Sequence, residues 1–267
     1  HENIAQVYEF GRVGQEYYLA MEYVGGMDLR SVQHHLAKIQ EPFPLHIGLR
    51  VIHDILAALE YAHSRVDTYG RPMHIVHRDV NPRNVMLSNR GEVKLIDFDV
   101  AKADTKSEQT VGHAIKGKYA YMAPEQIDGN VPLDGRADLF AVGLMLHELI
   151  TGRSPFAGMS EVQIIHKILS GQLPPLGDIP DHPEPELLHR IHQKSLKLNQ
   201  DERFVTAGEM RRAVAKAAEP LGGLPQANVM SEFLRHLDPD EAAALTERLI
   251  LYRNLDLIEL TKGLPQQ

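Results

Sequence analysis

The chain has 267 residues, 43% of them hydrophobic and 24% charged, which is ordinary for a globular protein with one large core or two smaller ones. Its 28 Lys and Arg residues against 36 Asp and Glu residues give a net charge of −8, which argues against nucleic acid and anionic membranes as partners. The absence of cysteine excludes disulfides and thiolate metal sites and favours a reducing, cytoplasmic location.

In chain order, the sequence first predicts strands. The β-rich runs Val7 to Phe10 and Tyr17 to Tyr23 predict a hairpin. Because the chain begins at His1 and runs directly into these strand-like residues, we expect it to enter a domain partway through. An amphipathic helix is then predicted over residues 45–64. Three short β-rich runs follow, at residues 74–76, 84–87 and 93–96.

The second half of the chain is predicted to be helical. Apolar residues recur with helical spacing at residues 138–151, 160–169, 184–197 and 206–218. The first of these regions contains the longest apolar run, which His147 and Glu148 interrupt and which is too short to span a bilayer. We therefore interpret it as a buried core helix and predict no membrane segment in this chain.

Beyond residue 218, a segment rich in Gly and Pro predicts a linker. Apolar residues at spacings of four or seven then predict two short amphipathic helices. One helix carries Val229 and Phe233, and the other carries Leu245, Leu249 and Tyr252. Their apolar faces would pack on the rest of the chain, which we favour, or on a separate protein partner.

The stretch IVHRDVNPRNVMLSNRGEVKLIDFDVAK, residues 75–102, carries the groups that phosphoryl transfer needs. That reaction requires a carboxylate that orients and deprotonates the acceptor hydroxyl, and oxygen ligands that hold Mg²⁺ on the phosphates. Asp79, Asn84 and Asp97 can supply these groups. The stretch resembles the HRDxxxxN loop and DFG triplet of the eukaryotic-type protein kinase family. The resemblance implies that Asp79 is the catalytic base and that Asn84 and Asp97 bind Mg²⁺.

Other motifs of this family follow in the expected order. MAPEQ at residues 122–126 resembles the APE element, whose Glu125 would pair with Arg203. The apolar run that begins at Asp138 resembles the buried helix of the lower lobe, and Asp138 would brace the catalytic loop. The resemblance covers about residues 1–218 and is to the serine/threonine branch in a bacterial-like form. Agreement of several motifs in order is far more specific than one motif alone.

The resemblance also implies an ATP site at the hinge LAMEYVGGMDL, residues 19–29. Glu22 and Val24 would offer main-chain groups to adenine, and Met21 would stand at the back of the pocket. Asp28 would approach the ribose, and Met86 would form the floor beneath the base. His77 and Phe98 would stack in a hydrophobic column with Val7 above them. The candidate phosphorylation sites, each of which could pair with Arg78 when phosphorylated, are Thr105, Ser107 and Thr110.

Three residues depart from the family pattern. Asn81 stands where the serine/threonine branch usually has lysine, so we count it among the catalytic residues as an uncharged hydrogen-bond donor with weaker transition-state stabilisation. Asp99 replaces the glycine of DFG, and we expect it to narrow the mobility of this loop without removing the metal ligand. Lys118 lies where threonine is common.

The predicted fold is α+β and protein-kinase-like, with a mainly helical C-lobe and only the last strands and hinge of the N-lobe. We divide it into an N-lobe remnant at 1–24, a C-lobe at 25–218, and a linker with amphipathic helices at 219–267. No GxGxxG loop and no VAIK-like lysine precedes the hinge in this sequence. Because these parts cover and align the phosphates, we expect the 267-residue chain alone to bind nucleotide poorly.

Three functions remain open. The favoured one is a serine/threonine kinase that transfers the γ-phosphate of ATP to a protein hydroxyl. The alternative is a pseudokinase, a protein-binding module without phosphotransfer. A small-molecule phosphotransferase of the aminoglycoside-kinase type also joins a catalytic Asp to a metal-binding Asp. Arg78 and MAPEQ argue against this third option, because they are typical of an activation segment that handles protein substrates.

Overall fold

The computed structural model describes residues 1–14, 16–98, 118–179 and 181–237. In these ranges the strands are β1 (Val7–Val13), β2 (Glu16–Met21), β3 (Gly26–Asp28), β4 (Val85–Ser88) and β5 (Val93–Leu95). The α-helices are α1 (Leu29–Ile39), α2 (Leu45–His63), α3 (Pro124–Asp128), α4 (Arg136–Thr151), α5 (Glu161–Leu169), α6 (Pro185–Ser195), α7 (Ala207–Ala218) and α8 (Ala227–Leu237). No helix in these ranges is long and apolar enough to cross a membrane.

The strands form two antiparallel sheets. Strands β1 and β2 make the predicted hairpin, while β3, β4 and β5 form a three-stranded sheet in that order. In the second sheet Asp28, Met86 and Lys94 lie opposite one another in one row. Gly26 permits the close pairing of β3 with β4, because it has a φ of 154° and any Cβ there would collide with the Leu87 carbonyl oxygen. The row places residues from distant parts of the chain side by side.

A helical core supports this sheet. Helix α2 packs against α4 and α7, and its apolar residues recur every three or four positions because one broad face is buried. Helix α4 is buried on nearly all sides, which explains its almost continuous apolar sequence. Each fully buried Leu, such as Leu56 or Leu139, contributes roughly 2 kcal/mol through removal of apolar surface from water. The core therefore holds a rigid base beneath the loop that joins α2 to β4.

The predicted long helices are confirmed, with ends that shift by no more than two residues. Two local features differ from the sequence-based expectations. The run at 74–76 forms no strand, and His74 has a φ of 50°, which a strand cannot accommodate. Helix α1 was not expected; Asp28 begins it by accepting a hydrogen bond from the Ser31 amide at 3.0 Å, and Gln40 ends it in the left-handed conformation.

Helix α8 packs on the main body. Met230, Leu234 and Leu237 belong to the same buried cluster as α2 and α4, and the ring of Phe233 lies 5.7 Å from that of Phe43. Gly91, with a φ of 81°, lets the turn between β4 and β5 approach the helix, since a Cβ there would collide with the α8 main chain. The apolar face of α8 is thus occupied by its own chain, while the second predicted tail helix lies outside the described residues.

Candidate active site

The catalytic loop is fixed by a short turn that leads into β4. Residues 82–84 form one turn of 3-10 helix, and the Asn81 Oδ1 atom accepts a hydrogen bond from the Arg83 amide at 2.9 Å. Pro82 occupies the first position of the turn, where its missing N–H group costs nothing. This capped turn sets the positions of both asparagine side chains relative to Asp79.

The two asparagines hold the Asp79 carboxylate from both sides. Asn81 Nδ2 donates to Asp79 Oδ1 at 3.0 Å, and Asn84 Nδ2 donates to Asp79 Oδ2 at 3.1 Å. Both amides also donate to the Asp79 main-chain carbonyl oxygen, at 3.0 and 2.8 Å. Asp79 itself remains exposed. The arrangement orients an accessible carboxylate without neutralising its charge, as a general base requires.

Asp138 holds this loop in place through hydrogen bonds, as predicted. Its side chain is buried and accepts hydrogen bonds from the amides of His77 and Arg78 at 2.9 and 2.8 Å. His63 Nε2 lies 2.8 Å from the same carboxylate. Arg78 has a φ of 68°, a conformation that costs energy for a residue other than glycine. The contacts to Asp138 compensate for this strain and for the burial of the carboxylate.

Asp97 is tied to the same loop through the residue before it. The Ile96 amide donates to the Asn84 carbonyl oxygen at 2.9 Å, and His77 Nε2 lies 2.9 Å from the Ile96 carbonyl oxygen. The ring centroids of His77 and Phe98 lie 4.5 Å apart with the ring planes tilted by 56°, and this contact confirms two members of the predicted hydrophobic column. Val7 does not complete the column, because 49% of its surface is exposed on β1.

The donor set of Asn84 and Asp97 fits Mg²⁺. Because Asn84 uses Nδ2 to contact Asp79, its side-chain oxygen is left for another partner. Asp97 is exposed, and both residues line the same cavity. No group of three or more His, Cys, Asp or Glu side chains in the described ranges is arranged to hold a metal ion. Two oxygen donors suit Mg²⁺, which commonly takes its remaining ligands from phosphates and water.

The cavity that contains these residues has a volume of about 1440 Å³. Its wall includes all four predicted catalytic residues, Asp79, Asn81, Asn84 and Asp97. The wall continues along α1, the end of α4 and the first turns of α5. This volume exceeds the range of roughly 300–1,000 Å³ that is typical of small-molecule pockets.

The predicted adenosine residues lie in the neighbouring sheet and hinge rather than in this cavity. Asp28 and Met86 face each other across β3 and β4, whereas Met21 ends β2 and Val24 is buried in the hinge. Glu22 contacts the nearly buried Lys94, with its Oε1 atom 2.9 Å from Nζ. A hydrogen bond from Lys94 lowers the pKa of Glu22 below its usual value. Lys94 is not evident as a site residue in the sequence, because it lies in an otherwise apolar strand.

Comparison with known proteins decides the family. Residues 1–213 match the protein kinase domain. The chain belongs to the protein kinase family. This result agrees with the predicted α+β, protein-kinase-like fold and with the catalytic loop described above.

Similar kinases come from several bacteria. The tyrosine-protein kinase MasK of Myxococcus xanthus is 37% identical over 208 residues, which cover 78% of this chain and 32% of MasK. The serine/threonine-protein kinase PknB of Mycolicibacterium smegmatis is 34% identical over 226 residues, 82% of this chain and 34% of PknB. A crystal structure of a PknI kinase domain double mutant from Mycobacterium tuberculosis superposes with a TM-score of 0.58 and 27% identity, covering 82% of this chain and 72% of that one. The chain spans about a third of the length of these two curated relatives.

The kinase motif MAPEQ is anchored to the helical part of the structure. Arg203 is fully buried and makes two hydrogen bonds to Glu125, at 2.6 and 2.8 Å, which confirms the predicted pair. Gln126 Nε2 donates to the Arg78 carbonyl oxygen at 2.8 Å and so connects this motif directly to the catalytic loop. Gln126 was not among the residues predicted from the sequence. Its place in the motif is the only signal that could have identified it.

Several predicted residues of the kinase activation segment lie outside the described residues. They are Asp99, Thr105, Ser107 and Thr110, and the side chain of Lys118 is likewise not described. The predictions for these residues therefore stay predictions.

Proposed function

We propose that this domain is a protein serine/threonine kinase that transfers the γ-phosphoryl group of ATP to a hydroxyl group of a protein substrate. The observation that carries the proposal is the exposed Asp79 carboxylate, held by Asn81 and Asn84 in the wall of a cavity that also contains Asp97. The protein kinase relatives support the same reaction class. Because the chain spans only part of those relatives, the activity is proposed for the intact protein.

In the proposed reaction, Asp79 accepts the proton of the substrate hydroxyl. The oxygen of that hydroxyl forms a bond to the γ-phosphorus, and the bond from this phosphorus to the bridging oxygen breaks, which releases ADP. The amide groups on both carboxylate oxygens of Asp79 keep it aligned before the substrate arrives. Mg²⁺, when held by Asn84 and Asp97, would supply positive charge that offsets the charge of the phosphates.

The nucleotide base is proposed to bind at the hinge, with Glu22 and Val24 offering main-chain groups to adenine and Met21 behind it. Asp28 would contact the ribose and Met86 would lie beneath the base. The row of Asp28, Met86 and Lys94 across the sheet supports this placement, because Lys94 also fixes Glu22. Since the reaction consumes ATP, we also propose a cytoplasmic location.

The acceptor hydroxyl is proposed to belong to serine or threonine. PknB of Mycolicibacterium smegmatis and PrkC of Bacillus subtilis are named serine/threonine-protein kinases, whereas MasK is named a tyrosine-protein kinase. Pro82 after Asn81 matches the serine/threonine pattern, and Asn81 departs from it. Analysis of the phosphorylated amino acids in a generic protein substrate decides between these classes, because phosphotyrosine alone would contradict the proposal.

The reaction itself is tested by phosphate transfer from labelled ATP, with the intact protein and its Asp79→Asn variant. Loss of the general base is expected to lower kcat by about 100-fold or more. Asp178→Asn, a change of the same type at an exposed carboxylate, is the matched control and retains the rate of the unmodified protein. If the unmodified protein transfers no phosphate, the pseudokinase alternative replaces this proposal.

A further inference from the structure

Two exposed arginines flank the proposed catalytic Asp79 in the sequence. Arg78 directly precedes Asp79, Arg83 follows it by four residues, and both line the cavity. The hydrogen bonds of these two residues involve main-chain atoms. Within the described ranges, neither guanidinium group forms a salt bridge to a carboxylate. The cavity that contains Asp79 thus also presents two cationic side chains that form no salt bridge with the described residues.

Glu148, a buried carboxylate of this cavity, already has its partners. Arg30 Nη1 donates to Oε1 at 2.8 Å, and the Tyr121 hydroxyl donates to Oε2. Burial, followed by the proximity of Glu148, raises the pKa of Tyr121 well above its ordinary value, so this hydroxyl stays a donor. Glu148 is therefore satisfied by its own chain and does not require a cationic residue from a substrate.

The remaining carboxylates do not offset the arginines beside Asp79. Glu125 accepts two hydrogen bonds from the buried Arg203 and is therefore already paired. Asp79 and Asp97 serve the proposed reaction. Glu41 and Glu161 belong to another part of the wall, where α1 has ended and α5 begins; Arg153 lines the cavity as well. A bound acceptor segment would thus meet positive charge next to the catalytic loop.

We propose that Arg83, assisted by Arg78, selects acceptor segments that carry a carboxylate side chain close in sequence to the phosphorylated hydroxyl. This inference rests on the proposed kinase function and names its substrate class. The net charge of −8 repels acidic substrates. Dissolved salt screens this repulsion at distances beyond about 10 Å, so it has little effect on a segment that is already in the cavity. A guanidinium group in the cavity wall acts by direct contact, where bidentate hydrogen bonds to a carboxylate are favourable.

Arg83 is the residue to change, because Arg78 is also the predicted partner of a phosphorylated activation segment. The substrates are serine peptides in which one flanking position at a time carries Asp, its neutral isostere Asn, or Lys. In the intact protein, kcat/KM for the best Asp peptide is expected to exceed that for its Asn counterpart by about fivefold. In Arg83→Gln this ratio falls to about one. In Arg83→Glu the Lys peptide is expected to have a higher kcat/KM than the Asp peptide.

Arg90→Gln is the matched control, since Arg90 is an exposed arginine in the turn between β4 and β5 and does not line the cavity. It retains the preference for Asp. If the unmodified protein phosphorylates Asp and Asn peptides equally, or if Arg83→Gln keeps the preference, this inference is wrong while the kinase function stands. If the unmodified protein phosphorylates no peptide or protein, the proposed function fails and the inference falls with it.

Discussion

At the scale of single residues, Asn81 has a role that its sequence position did not reveal. The family resemblance suggested a hydrogen-bond donor directed at the transferred phosphate. In the structure both ends of the amide are used within the catalytic loop: Nδ2 contacts Asp79, and Oδ1 caps the turn that begins at Pro82. The amide that stands in place of the usual lysine therefore orients Asp79, the proposed general base.

The Asn81→Ala variant tests this orienting role. Removal of the amide frees one oxygen of Asp79 and uncaps the adjacent turn, so kcat is expected to fall about tenfold, with a smaller change in the KM for ATP. Steady-state kinetics on one peptide substrate measure both constants. Asn228→Ala, which removes an exposed asparagine of α8 that does not line the cavity, retains both. An unchanged kcat in Asn81→Ala would show that Asn84 alone aligns Asp79.

The identities of the site residues could be predicted from the sequence, whereas most of the contacts among them could not. Asp79, Asn84 and Asp97 were predicted because their types and order suit phosphoryl transfer, and the structure places them on one cavity. Lys94 and Gln126 were missed. Their roles depend on partners that are 72 and 48 residues away in sequence, and local patterns carry no information on such distances.

At the scale of elements, burial decides which helices could be predicted. Helices α2 and α4 bury broad apolar faces, so their spacing is evident in the sequence. Helix α1 buries only Leu29, Val32 and Leu36 among mostly polar residues, and its starting signal is a single capping aspartate. Such a helix depends on tertiary packing, which short windows of sequence describe poorly.

Helix α8 is expected to contribute to the stability of the whole domain. Leu234 is 3% exposed and packs in the main core, so Leu234→Ala should lower the free energy of unfolding by about 2–4 kcal/mol. Urea denaturation measures this change. Glu232→Ala on the exposed face of the same helix is the control, with an expected effect of about 0.5 kcal/mol or less. Equal midpoints for the two variants would mean that α8 does not share the core.

At the scale of the whole molecule, α4 connects the candidate site to the rest of the helical core through buried polar residues. Near its start Asp138 holds the catalytic loop, and near its end Glu148 holds Arg30 of α1. The adjacent His147 contacts His192 of α6 through a ring-nitrogen hydrogen bond. In the sequence, His147 and Glu148 only interrupted an apolar run. Their partners in the structure show why a buried helix retains polar residues at these positions.

The pair formed by His147 and His192 makes the stability of the domain depend on pH. His147 Nδ1 and His192 Nε2 lie 3.2 Å apart in the core, with His192 only 4% exposed, and this hydrogen bond requires that the two rings are not both charged. Burial, with His147 and His189 nearby, lowers the pKa of His192 from 6.5 to about 4. Burial also lowers the pKa of His147.

In the unfolded chain, His192 gains a proton as the pH falls below about 6.5, whereas in the folded protein it stays neutral until the pH approaches 4. Between about pH 6.5 and 4 the unfolded state therefore binds more protons than the folded state. The contribution of His192 to folding stability is complete above this window and decreases as the pH falls through it. From His192 alone the expected loss of folding stability is about 2 kcal/mol at pH 5.

Urea denaturation between pH 7.5 and 5 measures the slope of the free energy of unfolding against pH. The slope becomes shallower in His192→Gln and is unchanged in His166→Gln, which replaces an exposed histidine on α5. The same slope in His192→Gln and the unmodified protein would mean that this buried pair is not the source of the acid sensitivity, because the side chain that replaces His192 has no proton to gain.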